Sequence, residues 1–438
     1  MAFHFVGIKG TGMAALAEIL HDEGFEVNGS DIEKYIFTQD GLEQRGIEIQ
    51  KFDPANIKDG DTVIVGLSFD ETHPEVAAAM ANPNVQVFYY NDYLGELLKR
   101  YTSVCIAGTH GKSTSTGLLA KVLNEDHPSG FLIGDGHGHM PEKAEDFVLE
   151  SCEFQRHFLA YRPDYAIITN IELDHVDYYR DMDDYVSAFQ EFGDQVKKAV
   201  VVCGDDEHLN KMTFKAEKIT YGVNDGNDYQ AVNIHDDDQG IRYDVKYDGQ
   251  IICHLELTES GYPFMIDSLG VFAMAHVLGV KPDIIAKGLA DYTGINRRFV
   301  IEEVGDSVLI DDYAHHPTAI KYMIEAARSR YPGKKVIALY KPDRYSRLQY
   351  FLDRFAESLN LADQSAVLDF PKNAVREDET VTVTIDDLLE RLDNGKLLDI
   401  NDESAQWLKD QGDAVYVFMS SKDIYLLRDK LRELLENR

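Results

Sequence analysis

The chain has 438 residues, 44% of them hydrophobic, which at about 150 residues per domain suits three domains or two large ones. Its 77 acidic against 43 basic residues give a net charge of -34, which repels nucleic acid and anionic membrane. No apolar run approaches the ~18 residues of a membrane helix, the N-terminus runs straight into a strand-like segment, and Cys105, Cys152, Cys203 and Cys253 lack Cys-x-x-Cys spacing, so the expectation is an unprocessed cytoplasmic protein without a zinc or disulfide framework.

The first segment, "FHFVGIKGTGMAALAEILHDEGFEVNGSD", reads as strand, glycine turn, helix and strand. Gly7, Gly10 and Gly12, with Thr11 between the last two, approach a dinucleotide fingerprint without matching its spacing, and Asp31 ends the next strand where a carboxylate can meet a ribose hydroxyl. That pattern serves a dinucleotide, a nucleotide sugar, or tight strand–helix packing alone. Further strands at "TVIVGLS" and "VQVFYY" complete a small α/β unit over residues 1–97.

Next comes "SVCIAGTHGKST". A strand ending at Ala107, a turn containing Gly108, Thr109 and Gly111, and a helix from Lys112 direct backbone N–H groups and the positive end of a helix dipole at one point, which suits a phosphate. Lys112 adds positive charge, while Ser113 stands where a phosphate-loop hydroxyl would ligate the Mg²⁺ that accompanies a nucleotide. Ile106 replaces the first glycine of the longer phosphate-loop pattern, so the loop is a shorter one.

From 98 to 298, strands "DFVLES", "YAIITNI" and "KAVVVCG" alternate with helices, predicting a largely parallel sheet with ligands at the strands' carboxyl ends. Glu150 and Glu153 in "LESCEFQRHF", and Glu172, Asp174 and His175 in "NIELDHVDYY", fall at two such ends. Ser113 with Glu153 would give Mg²⁺ hard oxygen ligands; the alternative is that these are solvated strand ends, and His175 is an unusual magnesium ligand. Residues 204–260 alternate apolar and polar side chains between turn residues, predicting antiparallel strands as a subsection of this unit, with Asp236 to Asp238 as a hydrated turn. "GHGHM" (136–140) reads as a polar surface loop rather than a metal site. Residues 299–438 hold "SVLIDDYAHHPTAIKYMIEAARSRY", "KVIALY", "SAVLDF" and "AVYVFMS", a third α/β unit.

Taken together, "HFVGIKGTGM", "GSD", "GTHGKST", "ITNIELDHVDYY", "GINRRF" and "IDDYAHHPTAI" resemble the Mur ligases of peptidoglycan synthesis, most nearly the branch that adds alanine to UDP-N-acetylmuramate, over nearly the whole chain. The resemblance implies an α/β protein of three domains: a Rossmann-like N-terminal domain for the UDP-sugar, a central phosphate-loop domain for ATP, and a Rossmann-like C-terminal domain that closes on them. It implies ATP and Mg²⁺ as cofactors, UDP-N-acetylmuramate and L-alanine as substrates, a monomer or homodimer, and an acyl-phosphate intermediate captured by the amino acid's amine. On that pattern Gly10, Thr11, Gly12 and Asp31 meet the UDP-sugar, and Gly108, Thr109, Gly111, Lys112, Ser113 and Thr114 hold the phosphates. Ser113, Glu153 and His175 serve metal ions, and Arg298 and Arg347 close onto phosphates and substrate. His315 and His316 lie near the incoming amino acid, and Asp312 near the ribose.

The chain also departs from the family's pattern. Pro263 and Phe264 stand where a histidine–asparagine pair is expected against the base, "PDRYSR" puts Asp343 and Arg344 in a proline–histidine–threonine motif, and "SSKD" (420–423) replaces a glycine-rich loop. These changes leave two other readings: a diverged ligase with another substrate or nucleotide, and a binding or regulatory protein without ligation.

Overall fold

The structure is a computed structural model that describes residues 2–237, 239–259, 261–292, 294, 299–372 and 374–436. Strands β1 to β5 (Ala2–Val6, Glu26–Ser30, Glu48–Gln50, Thr62–Val65, Gln86–Tyr89) form a parallel sheet in the order β3-β2-β1-β4-β5. The order reverses at β1 and β4, and the glycine turn Gly7–Gly12 leaves the carboxyl end of β1 at that switch point, where open α/β sheets bind ligands.

Ten strands make the second sheet: β6 to β15 (Thr102–Ala107, Ser129–Leu132, Gly138–His139, Asp146–Glu150, Tyr165–Ile168, Ala199–Cys203, Glu217–Gly222, Tyr229–Asp237, Gly240–Tyr247, Gln250–Leu257). Their order is β15-β14-β13-β12-β11-β10-β6-β9-β7-β8. The middle is parallel, and β13, β14 and β15 pair antiparallel, as the alternating pattern of 204–260 predicts. Every residue of β11 is buried, as expected for a parallel strand covered on both faces. Asp236 lies in β13 rather than in a hydrated turn, and its carboxylate accepts from the N–H of Gly261 (3.1 Å), fixing the start of helix Tyr262–Val277; Asp238 lies outside the described residues.

Strands β16 to β21 (Val300–Val304, Ser307–Asp312, Lys335–Tyr340, Gln364–Leu368, Gly395–Leu398, Ala414–Met419) form the third sheet, β16-β17-β21-β18-β19-β20, parallel except for β16. No helix among the described residues is long and apolar enough to cross a membrane.

The first sheet's helix Thr11–Asp22 docks directly on the central sheet. The buried Glu18 carboxylate accepts from the N–H of Gly138 (3.0 Å) and pairs with Arg45 (3.2 Å). Asp22 accepts from the N–H of Met140 (3.2 Å) and bonds the ring of His139 (2.7 Å). A side chain at Gly138 would place its Cβ 2.1 Å from the carbonyl oxygen of Ala15, so only glycine permits this approach. Within "GHGHM", Gly138–His139 is therefore a short strand at an interface rather than surface loop, with Gly136, Gly138 and Met140 turned inward and His137 and His139 exposed; its loop-like composition hides a partner about 120 residues away in sequence.

Candidate active site

Strand β6 ends at Ala107, and the chain turns through Gly108 (φ 132°) and Gly111 (φ 80°) into helix Lys112–Asp126. Both glycines are in backbone that L side chains avoid. A Cβ at Gly108 would also lie 2.0 Å from Thr169 Oγ1, and one at Gly111 2.3 Å from Asp267 Oδ1. Asn170 braces the loop through three bonds: its side chain accepts from His110 N–H (3.0 Å) and donates to His110 O (3.0 Å), and its carbonyl accepts from Thr109 N–H (3.0 Å). Thr109 Oγ1 donates to the carbonyl of Glu172 (2.8 Å). Gly111 supplies no side-chain cap to the helix start, and residues 111–114 line the adjoining cavity.

That cavity, about 1210 Å³, lies between the second and third sheets and is lined by the loop from Thr109 to Thr114, Glu150, Glu153, Glu172, Asp174 and His175 on one side. Asp312, His315, His316, Asp343 and Arg347 face them from the third unit, and Glu259, Pro263, Phe264 and Tyr292 lie further along the wall. Lys112 Nζ donates to Gly108 O (2.5 Å) and sits 3.0 Å and 2.9 Å from the two oxygens of Glu153, which is 1% exposed. Burial works against both charges of this pair. The field of Glu153 nonetheless holds Lys112 above the ordinary ammonium value, while at Glu153 burial wins and raises the carboxyl. Ser113 Oγ donates to Glu150 Oε1 (3.0 Å), whose other oxygen accepts from Gly134 N–H (2.6 Å). The hydroxyl of Ser113 and the carboxylates of Glu150 and Glu153 are hard oxygen donors beside a glycine turn that a Cβ would fill, a set that fits Mg²⁺ with a phosphate.

His175 (φ 50°) is in left-handed backbone, with Nε2 3.7 Å from Glu153 Oε1 and its N–H bonded to Asp174 Oδ1 (2.6 Å). Burial lowers its pKa to about 3, so the ring is neutral. Arg347 spans the two units: Nε and Nη2 donate to Asp174 (2.8 and 3.2 Å), and Nη1 to Asp343 (2.7 Å). Burial alone would raise both carboxyls, but Arg347 holds them well below the usual range. Glu172 accepts from Thr318 Oγ1 (2.7 Å) and Arg354 (2.5 Å), with His110 Nε2 2.9 Å from its second oxygen. His315 and His316 are shifted by burial to about 4 and about 3, so both are neutral acceptors at physiological pH.

The structure thus brings Gly111, Lys112, Ser113, Thr114, Glu153, His175, Asp312, His315, His316 and Arg347 around one space, with Gly108 and Thr109 supporting the loop. Asp312 turns its carboxylate to the N–H groups of Phe299 (2.8 Å) and Ala314 (2.7 Å), where it shapes the turn into His315 and His316. Arg298 lies outside the described residues. The first-unit candidates are not among the described lining. Gly10 and Thr11 are exposed at an uncapped helix start, and Gly12 abuts Tyr90, whose hydroxyl would lie 2.3 Å from a Cβ there. Asp31 accepts from the N–H of Lys9 (2.8 Å) and of Ile32 (2.7 Å), so its carboxylate tightens the glycine turn.

Sequence reasoning did not single out His110, Asp267, Thr318 or Arg354. His110 lies inside the quoted phosphate loop, so its signal was present. Asp267 sits on helix Tyr262–Val277 of the central unit itself, brought to Gly111 by packing within that unit, whereas Thr318 and Arg354 sit on helices of the third unit, whose approach depends on how the units dock.

A family model of the Mur ligase catalytic domain matches residues 2–102, one of the Mur ligase middle domain 106–262, and one of the Mur ligase glutamate ligase domain 296–426. Among solved structures, a UDP-N-acetylmuramate–alanine ligase from Thermotoga maritima superposes with a TM-score of 0.81 at 24% identity, covering 100% of both chains. A murein peptide ligase from Psychrobacter arcticus gives 0.75 at 24% identity over 100% of this chain and 99% of that one. A MurF ligase from Thermotoga maritima, solved with ADP, gives 0.68 at 18% identity over 88% and 97%.

Proposed function

Because the chain belongs to the Mur ligase family of ATP-dependent amide-forming enzymes, we propose that it joins L-alanine to UDP-N-acetylmuramate, with ATP and Mg²⁺. The observation that carries this reading is the single cavity in which the Lys112 phosphate loop faces His315, His316 and Arg347 of the third unit. The substrate carboxylate attacks the terminal phosphate of ATP, forming an acyl phosphate and releasing ADP. The amine then attacks the acyl carbon, and phosphate leaves. Ser113, Glu150 and Glu153, with His175 at the border, would hold Mg²⁺, which would supply charge neutralisation between phosphates and carboxylate.

The chain's own groups do the rest. Lys112 and the N–H groups of residues 111–113 offset the charge brought together when a carboxylate meets a triphosphate. The neutral His315, whose Nδ1 faces the carbonyl of Tyr313, accepts a hydrogen bond from the incoming amine at Nε2 and orients it, with His316 beside it. Arg347, locked by Asp174 and Asp343, sets the distance between the third unit and the phosphate loop. The overlap with the alanine ligase fold supports the substrate reading. A second reading, the same chemistry with another amine or nucleotide, is favoured by Asp343, Pro263 and Phe264, where the family pattern has other polar groups.

Phosphate release with ATP, UDP-N-acetylmuramate and a panel of amino acids, each omitted in turn, decides between them. Release that needs all three components and is fastest with L-alanine supports the proposal; release with another amino acid supports the second reading. Lys112→Ala should abolish turnover. Turnover near wild type in that variant refutes the phosphate-loop assignment, and nucleotide binding without turnover in the wild type points to a binding protein.

A further inference from the structure

Where the third unit meets the phosphate loop, three side chains from three separate motifs converge: His110, Glu172 and His316. His110 Nε2 lies 2.9 Å and His316 Nδ1 3.7 Å from the same atom, Glu172 Oε2, and one donor atom from each residue falls within 4.8 Å of the others. His316 is 1% exposed, and neither of its ring nitrogens has a hydrogen-bond partner among the described residues. Leaving a buried polar group unpaired costs about 1–3 kcal/mol, so the arrangement calls for an occupant. The second oxygen of Glu172 is held by Thr318 and Arg354, which turns Oε2 toward the two imidazoles. Outer partners of this kind orient metal-binding carboxylates.

We propose that His110, Glu172 and His316 bind a divalent d-block ion, Zn²⁺ being the reference case, which ties the third unit to the phosphate loop. Two imidazoles and one carboxylate suit such an ion, whereas Mg²⁺ wants an all-oxygen shell. Ligand atoms at roughly 2.0–2.1 Å from a tetrahedral or octahedral ion are about 2.8–3.4 Å apart, so small side-chain rotations close the cluster onto an ion. The remaining coordination positions face the cavity. The site is separate from the oxygen donors Ser113, Glu150 and Glu153, and it requires neither ATP nor the ligase reading.

The test uses the full chain, stripped by chelation and held in millimolar Mg²⁺ to occupy the oxygen sites. Co²⁺ is titrated by its visible absorption and Zn²⁺ by calorimetry, without nucleotide or amino acid. One equivalent of Co²⁺ should bind with the bands of nitrogen-ligated cobalt and be displaced by Zn²⁺. His316→Gln and His110→Gln should each weaken binding by about tenfold or more, while Ser113→Ala should change it by less than about threefold. Zn²⁺ should also raise the melting temperature of the wild type and not that of His110→Gln. His110 is partly exposed, so its variant keeps the test open if His316→Gln does not fold. Absence of stoichiometric binding, binding that survives both histidine variants, or binding lost in Ser113→Ala overturns the proposal.

Discussion

Arg347→Met removes a cation bonded to two buried carboxylates on opposite sides of a unit boundary, Asp174 and Asp343. The three side chains are 3%, 6% and 10% exposed, so water cannot replace the guanidinium without rearrangement. Breaking a buried pair by removing one partner costs about 3–5 kcal/mol. Asp174 keeps the N–H of His175 (2.6 Å) and Asp343 keeps the hydroxyl of Ser421 (3.0 Å), which argues for the lower end, about 3 kcal/mol. The pH dependence follows from the same charges. In the wild type both carboxyls lie below their unfolded values, so their contribution is full above about pH 4 and fades as pH falls. In the variant the largest opposing charge is gone, so burial raises both carboxyls relative to the wild type and the stability they contribute at neutral pH is reduced. The gap between the two proteins should therefore be widest near pH 8 and shrink toward pH 5. Urea unfolding followed by Trp407, the single tryptophan, reports the third unit, against whose core it packs. Arg347→Lys should cost about half as much. A loss under about 1 kcal/mol, or one equal at both pH values, would refute this account.

Glu153→Gln should raise the Mg²⁺ concentration needed for phosphate release, since a hard anionic ligand becomes a neutral amide; an unchanged titration returns Glu153 to a purely structural partner of Lys112. The base should be read weakly, because Pro263 has no side-chain hydrogen bond and Phe264 presents a ring stacked 6.3 Å from Tyr292. ATP and GTP should differ by less than about tenfold in kcat/KM, ~1.4 kcal/mol, and a hundredfold preference in steady-state assays would mean that other wall groups read it. Burial lifts Glu259 to about 7, so its neutral form is favoured in the folded state and its contribution is lost as pH rises through that value. Glu259→Gln should match wild-type stability near pH 5 and exceed it by about 1–3 kcal/mol at pH 8, measured by urea unfolding; no difference between the two pH values contradicts that environment.

The fold was legible wherever local pattern and burial coincide. The strand before Gly108 and the helix from Lys112 follow from an apolar run, two glycines and a lysine, and the antiparallel β13 to β15 from alternation between turn residues. Parallel strands such as β11 read as unbroken apolar runs because both faces are covered. What stayed hidden depends on distant partners. Gly138 looks like loop glycine until helix Thr11–Asp22 is laid against it, and Asp31 looks like a ribose ligand until Lys9 and Ile32 take its oxygens. His110 was in plain view in "GTHGKST", yet its significance comes from Glu172 and His316, which approach only through the third unit's docking.

Three arginines of the third unit, Arg354, Arg347 and Arg344, land on three carboxylates of one short central segment, Glu172, Asp174 and Asp177. The middle pair is dry, whereas the side chains of Arg354 and Arg344 are 46% and 30% exposed. Ions in solution weaken exposed pairs far more than buried ones. Rising ionic strength should thus undo this seam from its two ends inward, leaving Arg347 as a pivot about which the third unit swings. The salt content of the medium would then set how wide the cavity mouth stands before any ligand arrives.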